Sequence, residues 1–326
     1  MSTTTAPQAD TETAPQLVGE TAPGGAFKRQ ENAFRDRITA DGSSGYKAEP
    51  GRYHIYVSLA CPWAHRTLIV RNLKGLEDVV SASSVDPIRD ERGWAFRESA
   101  DGSHGPDPVN GFRFLSEAYL ATDPAFKGRY TVPAVWDRKT GRIVTNDFHT
   151  IPSQLETEFE AFADRSVDLY PEGLRPEIDA VNRMVYERVN NGVYEAGFAT
   201  SQAAYERAFD TLFAALDELE GRLAGQRFLA GDKVTDADVR LFTTLVRFDA
   251  VYVGHFKCNL RRLVDYPNLW GYARDLYQRP GFGETVNFDH IKRHYYQTHD
   301  KINPSRIVPK GPAVDWLSPH DRDRLG

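Results

Sequence analysis

The sequence predicts an α/β domain followed by an all-helical domain, and three observations lead to that fold class. Between residues 53 and 85, two short apolar stretches flank one amphipathic stretch, which indicates a βαβ unit. A β-hairpin pattern follows near residue 140. From about residue 175 onward, apolar residues recur at helical spacing. The 326 residues are also enough for about two domains.

Changes in composition predict three regions. Residues 1–26 are rich in Thr, Ala, Pro and Gly and carry almost no large apolar side chain. They cannot bury enough surface to offset the entropy of ordering, so we predict a disordered tail. Residues 27–165 are predicted to form the α/β domain, and residues 175–326 the helical domain with a C-terminal extension.

The α/β domain begins with the βαβ unit. A buried strand is predicted over the apolar residues 53–59, and a helix follows at Pro62, since proline is tolerated at the first helical position. Residues 79–85 predict a second strand, parallel to the first. The polar, glycine-rich residues 86–128 predict a long excursion, and excursions of that length are usually functional.

The hairpin comes next. Residues 131–136 predict a strand, residues 137–141 a turn and residues 142–144 the returning strand, with a helix near Asn146. Pro133 opens the hairpin, where a cis bond after Val132 would expose backbone groups that can pair with the backbone of a bound thiol. The alternative is an ordinary proline at the start of a strand.

Two patterns define the helical domain. An apolar stripe predicts an amphipathic helix that Gly225 can end, and its members are Phe209, Leu212, Phe213, Leu216, Leu219 and Leu223. Thr235 and Asp238 have the spacing of a capping box, with Val234 and Val239 placed as a hydrophobic staple. A second buried helix should therefore start at this box.

Composition excludes several functions. Acidic residues outnumber basic ones by 46 to 40, so no basic excess exists to neutralise nucleic-acid phosphates. No run of ~18 apolar residues predicts a membrane span, and the first residues lack the features of a signal peptide. The two cysteines cannot build a disulfide framework or a four-thiolate metal site. We therefore expect a cytoplasmic protein without a metal.

Cys61 is the candidate nucleophile. It lies where a strand meets a helix, directly before Pro62. The first-turn amides and the helix dipole favour a thiolate there, and His65 and Arg66 lie within one turn and can add to the effect. A buried core cysteine is the alternative, but its position favours a reactive thiol. Cys258 is predicted to be structural.

Ala64 occupies the position at which a thioredoxin-type motif carries its second cysteine. Without that cysteine, a mixed disulfide at Cys61 has to be cleared by an external thiol. The sequence therefore predicts monothiol chemistry and a binding site for a small-molecule thiol beside Cys61.

The sequence resembles the Xi-class glutathione transferases, the glutathionyl-hydroquinone reductases, from about residue 27 to residue 312. The matching stretches are residues 61–66, 93–96, 131–137, 190–199, 247–252, 255–259, 265–269, 290–296 and 302–304. The resemblance implies the glutathione transferase fold, a thioredoxin-like N-terminal domain plus an all-α C-terminal domain, usually paired as a homodimer.

The resemblance also implies a function. Cys61 would attack the sulfur of an S-glutathionyl hydroquinone, an aromatic thioether, and a second molecule of the cosubstrate glutathione would restore Cys61. Trp94, Arg129 and the backbone of Val132 would hold the thiol. Tyr194 and either Tyr295 or Tyr296 would contact the aromatic leaving group.

One stretch departs from the family, which presents Glu-Ser to the γ-glutamyl end of glutathione. Asp147 can replace the carboxylate, but Phe148 supplies no hydroxyl, and a missing polar partner costs ~1–3 kcal/mol. Arginine greatly outnumbers lysine, as in GC-rich coding sequences. Mycothiol, a cysteine thiol attached to a sugar, is therefore a second candidate thiol.

Two other functions fit the same fold. A conjugating transferase would activate its cosubstrate with Ser or Tyr, against which the context of Cys61 argues. A non-catalytic interaction module would have no need for a nucleophile site.

Overall fold

The structure, a computed structural model, describes residues 20–325, so most of the predicted tail lies outside the described residues. Its last part, residues 20–26, lies on the body of the protein. Ser201 donates a hydrogen bond to the carbonyl of Gly24 (2.7 Å), and the amide of Thr200 donates to the carbonyl of Gly25 (2.9 Å). These hydrogen bonds attach residues 20–26, the N-terminal segment, to the helical domain.

A four-stranded sheet with the order β2-β1-β3-β4 forms the centre of the first domain. The strands are β1 Tyr53–Val57, β2 Ser81–Ser84, β3 Ala134–Asp137 and β4 Arg142–Thr145. β1 and β2 are parallel, and the other two pairs are antiparallel. The helices of this domain are α1 Pro62–Leu73, α2 Leu115–Thr122 and α3 Ile151–Thr157. The predicted βαβ unit and hairpin are confirmed.

Helix α2 lies inside the stretch that we interpreted as a long excursion. Its N-cap residue is Phe114, which is not a usual capping residue. The side chain of Glu117 accepts hydrogen bonds from the amides of Arg113 and Phe114 (both 2.9 Å). Its buried residues include Leu115 and Tyr119. An eight-residue helix without a Ser, Thr, Asp or Asn cap leaves little trace in a sequence.

The second domain is helical, as predicted. Its α-helices are α4 Arg175–Met184, α5 Gly192–Gly197, α6 Gln202–Leu223, α7 Asp236–Arg247, α8 Pro267–Tyr277 and α9 Phe288–Thr298. α6 buries the predicted stripe, apart from the half-buried Phe209. The capping box is confirmed, since Asp238 accepts the amide of Thr235 (2.7 Å) at the start of α7. Within the described range, no helix is both long and apolar enough to cross a membrane.

Helix α1 lies between the two domains, packed against α3 on one side and α7 on the other. Residues 62–70 are buried as a consequence. The contact is polar as well as apolar: the fully buried Arg66 donates to the side chain of Asn190 (2.5 Å), whose own amide donates to Thr244 (2.7 Å). These bonds determine how the start of α1 faces the helical domain.

Candidate active site

A cavity lies between the domains, beside the start of α1. The N-terminal segment, the first domain and helices of the second domain all contribute to its wall. The lining residues include Cys61, Trp94, Arg129, Val132, Tyr194 and Tyr295. Six of the eight site residues predicted from the sequence therefore meet in one cavity. Asp147 and Tyr296 are not among its lining residues.

Cys61 is the N-cap residue of α1, with Pro62 at the first helical position as predicted. The amides of Trp63 and Ala64 point at its sulfur. The Sγ atom lies 3.5 Å from the carbonyl oxygen of Val132. The Val132–Pro133 peptide is cis, and the Val132 amide forms no hydrogen bond with another described residue. The sulfur of Cys61 and the backbone of Val132 thus lie side by side in the cavity wall.

Cys61 is partly exposed, and its position at a helix start does not lower its pKa. Burial raises the pKa of Cys61, and it outweighs the opposing effects of the two amides and of the positive charges on Arg247 and Arg29. His65 adds no charge, because burial lowers its pKa well below the usual value and its Nδ1 accepts a hydrogen bond from Arg247 (2.9 Å). Two backbone amides and two arginine charges therefore favour the thiolate of Cys61, whereas burial of the sulfur disfavours it.

Trp94 and Arg129 form the wall next to Val132. The Trp94 ring stacks on His294, with a centroid distance of 4.9 Å and an interplanar angle of 25°. Arg129 forms an ion pair with Glu20, which also lines the cavity. Arg129 therefore already binds one carboxylate, supplied by the chain itself.

Tyrosine hydroxyls meet on the side of the helical domain. The hydroxyl of Tyr194 lies 2.5 Å from that of Tyr295, which lies 3.1 Å from that of Tyr252. Burial raises the pKa of all three, so each is a phenol and not a phenolate at neutral pH. Tyr296 packs against His255 at a centroid distance of 4.8 Å, away from this group. Of the two residues left open by the sequence, Tyr295 lines the cavity and Tyr296 does not.

Comparisons with known proteins agree with this architecture. The family model described as Glutathione S-transferase, N-terminal domain matches residues 60–158, and that described as Glutathione S-transferase, C-terminal domain matches residues 202–275. The chain is 51% identical over 306 residues to the glutathionyl-hydroquinone reductase YqjG of Escherichia coli, covering 92% of this chain and 93% of that protein. A solved Xi-class glutathione transferase from Natrialba magadii superposes with a TM-score of 0.89 at 50% identity, covering 92% and 93% of the two chains.

The chain belongs to the Xi-class glutathione transferases. A further relative, the glutathionyl-hydroquinone reductase PcpF of Sphingobium chlorophenolicum, is 49% identical over 290 residues, with coverage of 89% of this chain and 91% of that protein. YqjG has also been solved with glutathione bound, and that structure superposes with a TM-score of 0.87, covering 89% of this chain and 96% of that one.

At the two positions where this Xi-class chain departs from the family, Asp147 is held by neighbouring side chains and Phe148 lines the cavity. The carboxylate of Asp147 accepts hydrogen bonds from Asn32 (2.8 Å) and Thr150 (3.1 Å). Asn32 and Phe148 line the cavity in its place, and the Phe148 ring lies 4.6 Å from that of Trp63. The wall at this point is aromatic, with no hydroxyl from residue 148.

Sequence reasoning missed two arginines of this Xi-class site. The guanidinium of Arg29 lies 4.7 Å from the ring centroid of Trp63 and 4.9 Å from that of Tyr194. Arg89 lies 5.2 Å from the ring centroid of Trp94, and burial lowers its pKa to about 9, so it remains charged at neutral pH. Neither belongs to a motif, so only the folded chain reveals them. With Arg129, they make the cavity strongly cationic.

Residues 20–325 contain no group of three or more His, Cys, Asp or Glu side chains suited to a metal ion. His290 and His294, four residues apart on α9, each have a polar partner: His290 bonds the hydroxyl of Ser103, and His294 bonds the carbonyl of Pro87 (both 2.8 Å). Cys258 is fully buried, as a structural cysteine should be.

Proposed function

We propose that this chain is a thiol-dependent reductase that cleaves S-glutathionyl, or analogous thiol-conjugated, hydroquinones through a mixed disulfide at Cys61. One observation carries the proposal. The Cys61 sulfur, at a helix start and 3.5 Å from the carbonyl oxygen of Val132, shares one cavity with the hydrogen-bonded pair Tyr194 and Tyr295. The relatives named glutathionyl-hydroquinone reductases support the same conclusion.

The reaction has two balanced steps. The Cys61 thiolate attacks the sulfur of the conjugate, an S–S bond forms, the S–aryl bond breaks and the aryl carbon takes up a proton, which releases the hydroquinone. A second thiol then loses its proton and attacks the sulfur that came from the conjugate. Cys61 leaves as thiolate and the disulfide of the small thiol is released. These steps require only thiols.

The thiol is held by the first domain. The backbone of Val132 pairs with the cysteinyl part of the thiol, and Trp94 covers it. Arg129 binds a carboxylate of the thiol, which has to replace the carboxylate of Glu20. Asp147 acts through Asn32, which it holds at the cavity wall.

The aromatic leaving group is held by the second domain. Tyr194 and Tyr295 donate hydrogen bonds to a hydroquinone oxygen while their rings pack against its ring. Both hydroxyls are protonated, so each can act as a donor. The nearby Arg29, stacked on the ring of Tyr194, closes this side of the cavity.

Tyr295→Phe is expected to lower kcat by about ten- to a hundredfold, because one donor to the developing hydroquinone is lost. The KM for the thiol should change little, since Val132 and Arg129 are untouched. Steady-state kinetics with an S-glutathionyl hydroquinone measure both constants. Tyr296→Phe is the matched control, because Tyr296 is the neighbour of Tyr295 in sequence but does not line the cavity. Equal kcat values for the two variants would contradict the assignment to Tyr295.

Glutathione is the proposed cosubstrate, in line with the glutathione-bound structure of YqjG. The aromatic wall at Phe148 favours mycothiol as the second candidate, because a sugar does not need the hydroxyl that a γ-glutamyl group needs. Purified protein supplied with each thiol decides between them. Efficient reduction by glutathione alone would eliminate mycothiol.

Phe148→Ser is expected to lower the KM for glutathione by about five- to tenfold, since the new hydroxyl supplies a hydrogen bond worth ~1 kcal/mol. The same titration of reductase rate against glutathione is run on Phe162→Ser, a matched change of an exposed phenylalanine in the first domain. An unchanged KM in Phe148→Ser would show that the γ-glutamyl end does not reach residue 148.

We also propose that the enzyme works as a cytoplasmic homodimer, the assembly usual for its fold. Sedimentation of the purified chain tests the dimer. A conjugating transferase and a non-catalytic module are the remaining alternatives. Formation of a thioether product by the purified chain would favour the first, and failure of Cys61 to form any thiol adduct, read by mass spectrometry, would favour the second.

A further inference from the structure

Arg247, the last residue of α7, reaches from the helical domain into the loop that precedes Cys61. Its side chain is fully buried. Nε donates to the carbonyl of Ala60 (2.9 Å), and one terminal nitrogen donates to the carbonyl of Leu59 (3.0 Å). The other terminal nitrogen donates to the carbonyl of Thr243 (2.7 Å) and to Nδ1 of His65 (2.9 Å). One side chain thus bonds both residues that lead into Cys61.

No carboxylate is among the hydrogen-bond partners of Arg247 in the described chain. Three partners are backbone carbonyls and the fourth is a neutral imidazole. His65 accepts at Nδ1, so its Nε2 carries the proton and donates to the hydroxyl of Thr285 (2.6 Å). A guanidinium stays protonated in proteins, and burial without a counter-ion is costly. The charge of Arg247 is therefore not neutralised by a hydrogen-bonded carboxylate.

We propose that Arg247 is a positioning residue for Cys61. Its guanidinium holds the carbonyls of Leu59 and Ala60 in place, and its positive charge, which no hydrogen-bonded carboxylate neutralises, stabilises the Cys61 thiolate. The inference rests on the proposed role of Cys61 as nucleophile. Arg247 touches neither substrate nor sulfur in this arrangement, and it acts through the loop and through its electric field.

Other charged or titratable groups face Cys61 from each packed element: Arg29, Arg66, Arg89 and Tyr194. Arg29 and Arg89 line the cavity, so a thiol that carries carboxylates neutralises them when it binds. Arg66 lies over the Trp63 ring, and Tyr194 is a neutral phenol. Arg247 does not line the cavity, so its charge remains available to the sulfur throughout the reaction.

The test is the pH dependence of Cys61 alkylation by iodoacetamide in the intact protein, followed at Cys61 by peptide mass spectrometry. Removing a nearby positive charge raises the pKa of a thiol. Arg247→Met should therefore move the midpoint upward by about one pH unit, which slows alkylation at pH 7 by roughly tenfold. Arg247→Lys keeps the charge but loses the paired hydrogen bonds to the carbonyls of Leu59 and Ala60. Its alkylation midpoint should therefore stay near that of the unsubstituted protein, while kcat falls.

Arg322→Met is the matched control, because Arg322 is also a fully buried arginine that donates to a backbone carbonyl (Gln226, 2.5 Å) but does not line the cavity. Its alkylation midpoint should be unchanged. A folded Arg247→Met with an unchanged midpoint overturns the electrostatic part of the proposal. If Arg247→Met does not fold, a raised alkylation midpoint in Arg247→Lys overturns the electrostatic part instead. An unchanged kcat in Arg247→Lys overturns the positioning part. Alkylation needs no hydroquinone, so absence of reductase activity with a shifted midpoint would refute only the proposed function.

Discussion

Cys61→Ser is expected to abolish release of hydroquinone from its thiol conjugate, by roughly a thousandfold or more. The hydroxyl of serine occupies nearly the same space as the thiol, so the helix start and the cavity should persist. An oxygen nucleophile, however, cannot form the disulfide that both proposed steps require. A single-turnover assay that follows hydroquinone by its absorbance, with circular dichroism to confirm folding, measures the effect.

Cys258→Ala is the matched control for this variant. Cys258 is fully buried, lies outside the cavity wall, and behaves as a small apolar side chain. Its replacement should leave the rate of hydroquinone release close to that of the unsubstituted enzyme. If Cys61→Ser kept more than about a hundredth of the rate, a mixed disulfide at Cys61 would be excluded as the intermediate.

Asp238→Ala is expected to lower the free energy of unfolding by about 3 kcal/mol, since several buried donors lose their acceptor together. The fully buried carboxylate accepts the amides of Leu229 (2.9 Å) and Thr235 (2.7 Å), the hydroxyl of Thr235 (3.0 Å) and that of Tyr272 (2.8 Å). It therefore caps α7 and also ties that helix to α8. Urea unfolding followed by circular dichroism gives the change.

Two further variants separate the causes. Asp238→Asn keeps one oxygen acceptor and should recover part of the loss, whereas Asp232→Ala changes an exposed aspartate in the loop before the box and should cost almost nothing. A loss below about 1 kcal/mol in Asp238→Ala would mean that packing of α7, and not the box, holds the helix start.

Features encoded by neighbouring residues could be predicted from the sequence. Periodicity placed β1, α1 and α6, and spacing placed the capping box at Thr235 and Asp238. The position of Cys61 before Pro62 is likewise a local signal. Each of these depends on contacts within a few residues, which is the range over which a linear pattern is informative.

Features that depend on distant contacts could not be predicted. Arg247 acts on Cys61 across more than 180 positions of sequence, because α7 packs against α1. Arg29 and Arg89 enter the cavity from unrelated loops. The raised pKa of Cys61 has the same origin, since the residues that bury the sulfur around the cavity come from distant parts of the chain. The choice of Tyr295 over Tyr296 required the orientation of α9.

The wall of the cavity is shared between the two domains of the chain. Cys61, Trp94 and Val132 belong to the first domain, whereas Tyr194 and Tyr295 belong to α5 and α9 of the second. On the proposed function, the first domain therefore supplies the reacting sulfur, and α5 and α9 supply the hydroxyls that recognise the aromatic ring. Substitutions at Tyr194 and Tyr295 can change which aromatic compounds are accepted without replacing any residue at the start of α1. Such an enzyme can adapt to new quinones in its surroundings while its redox chemistry stays constant.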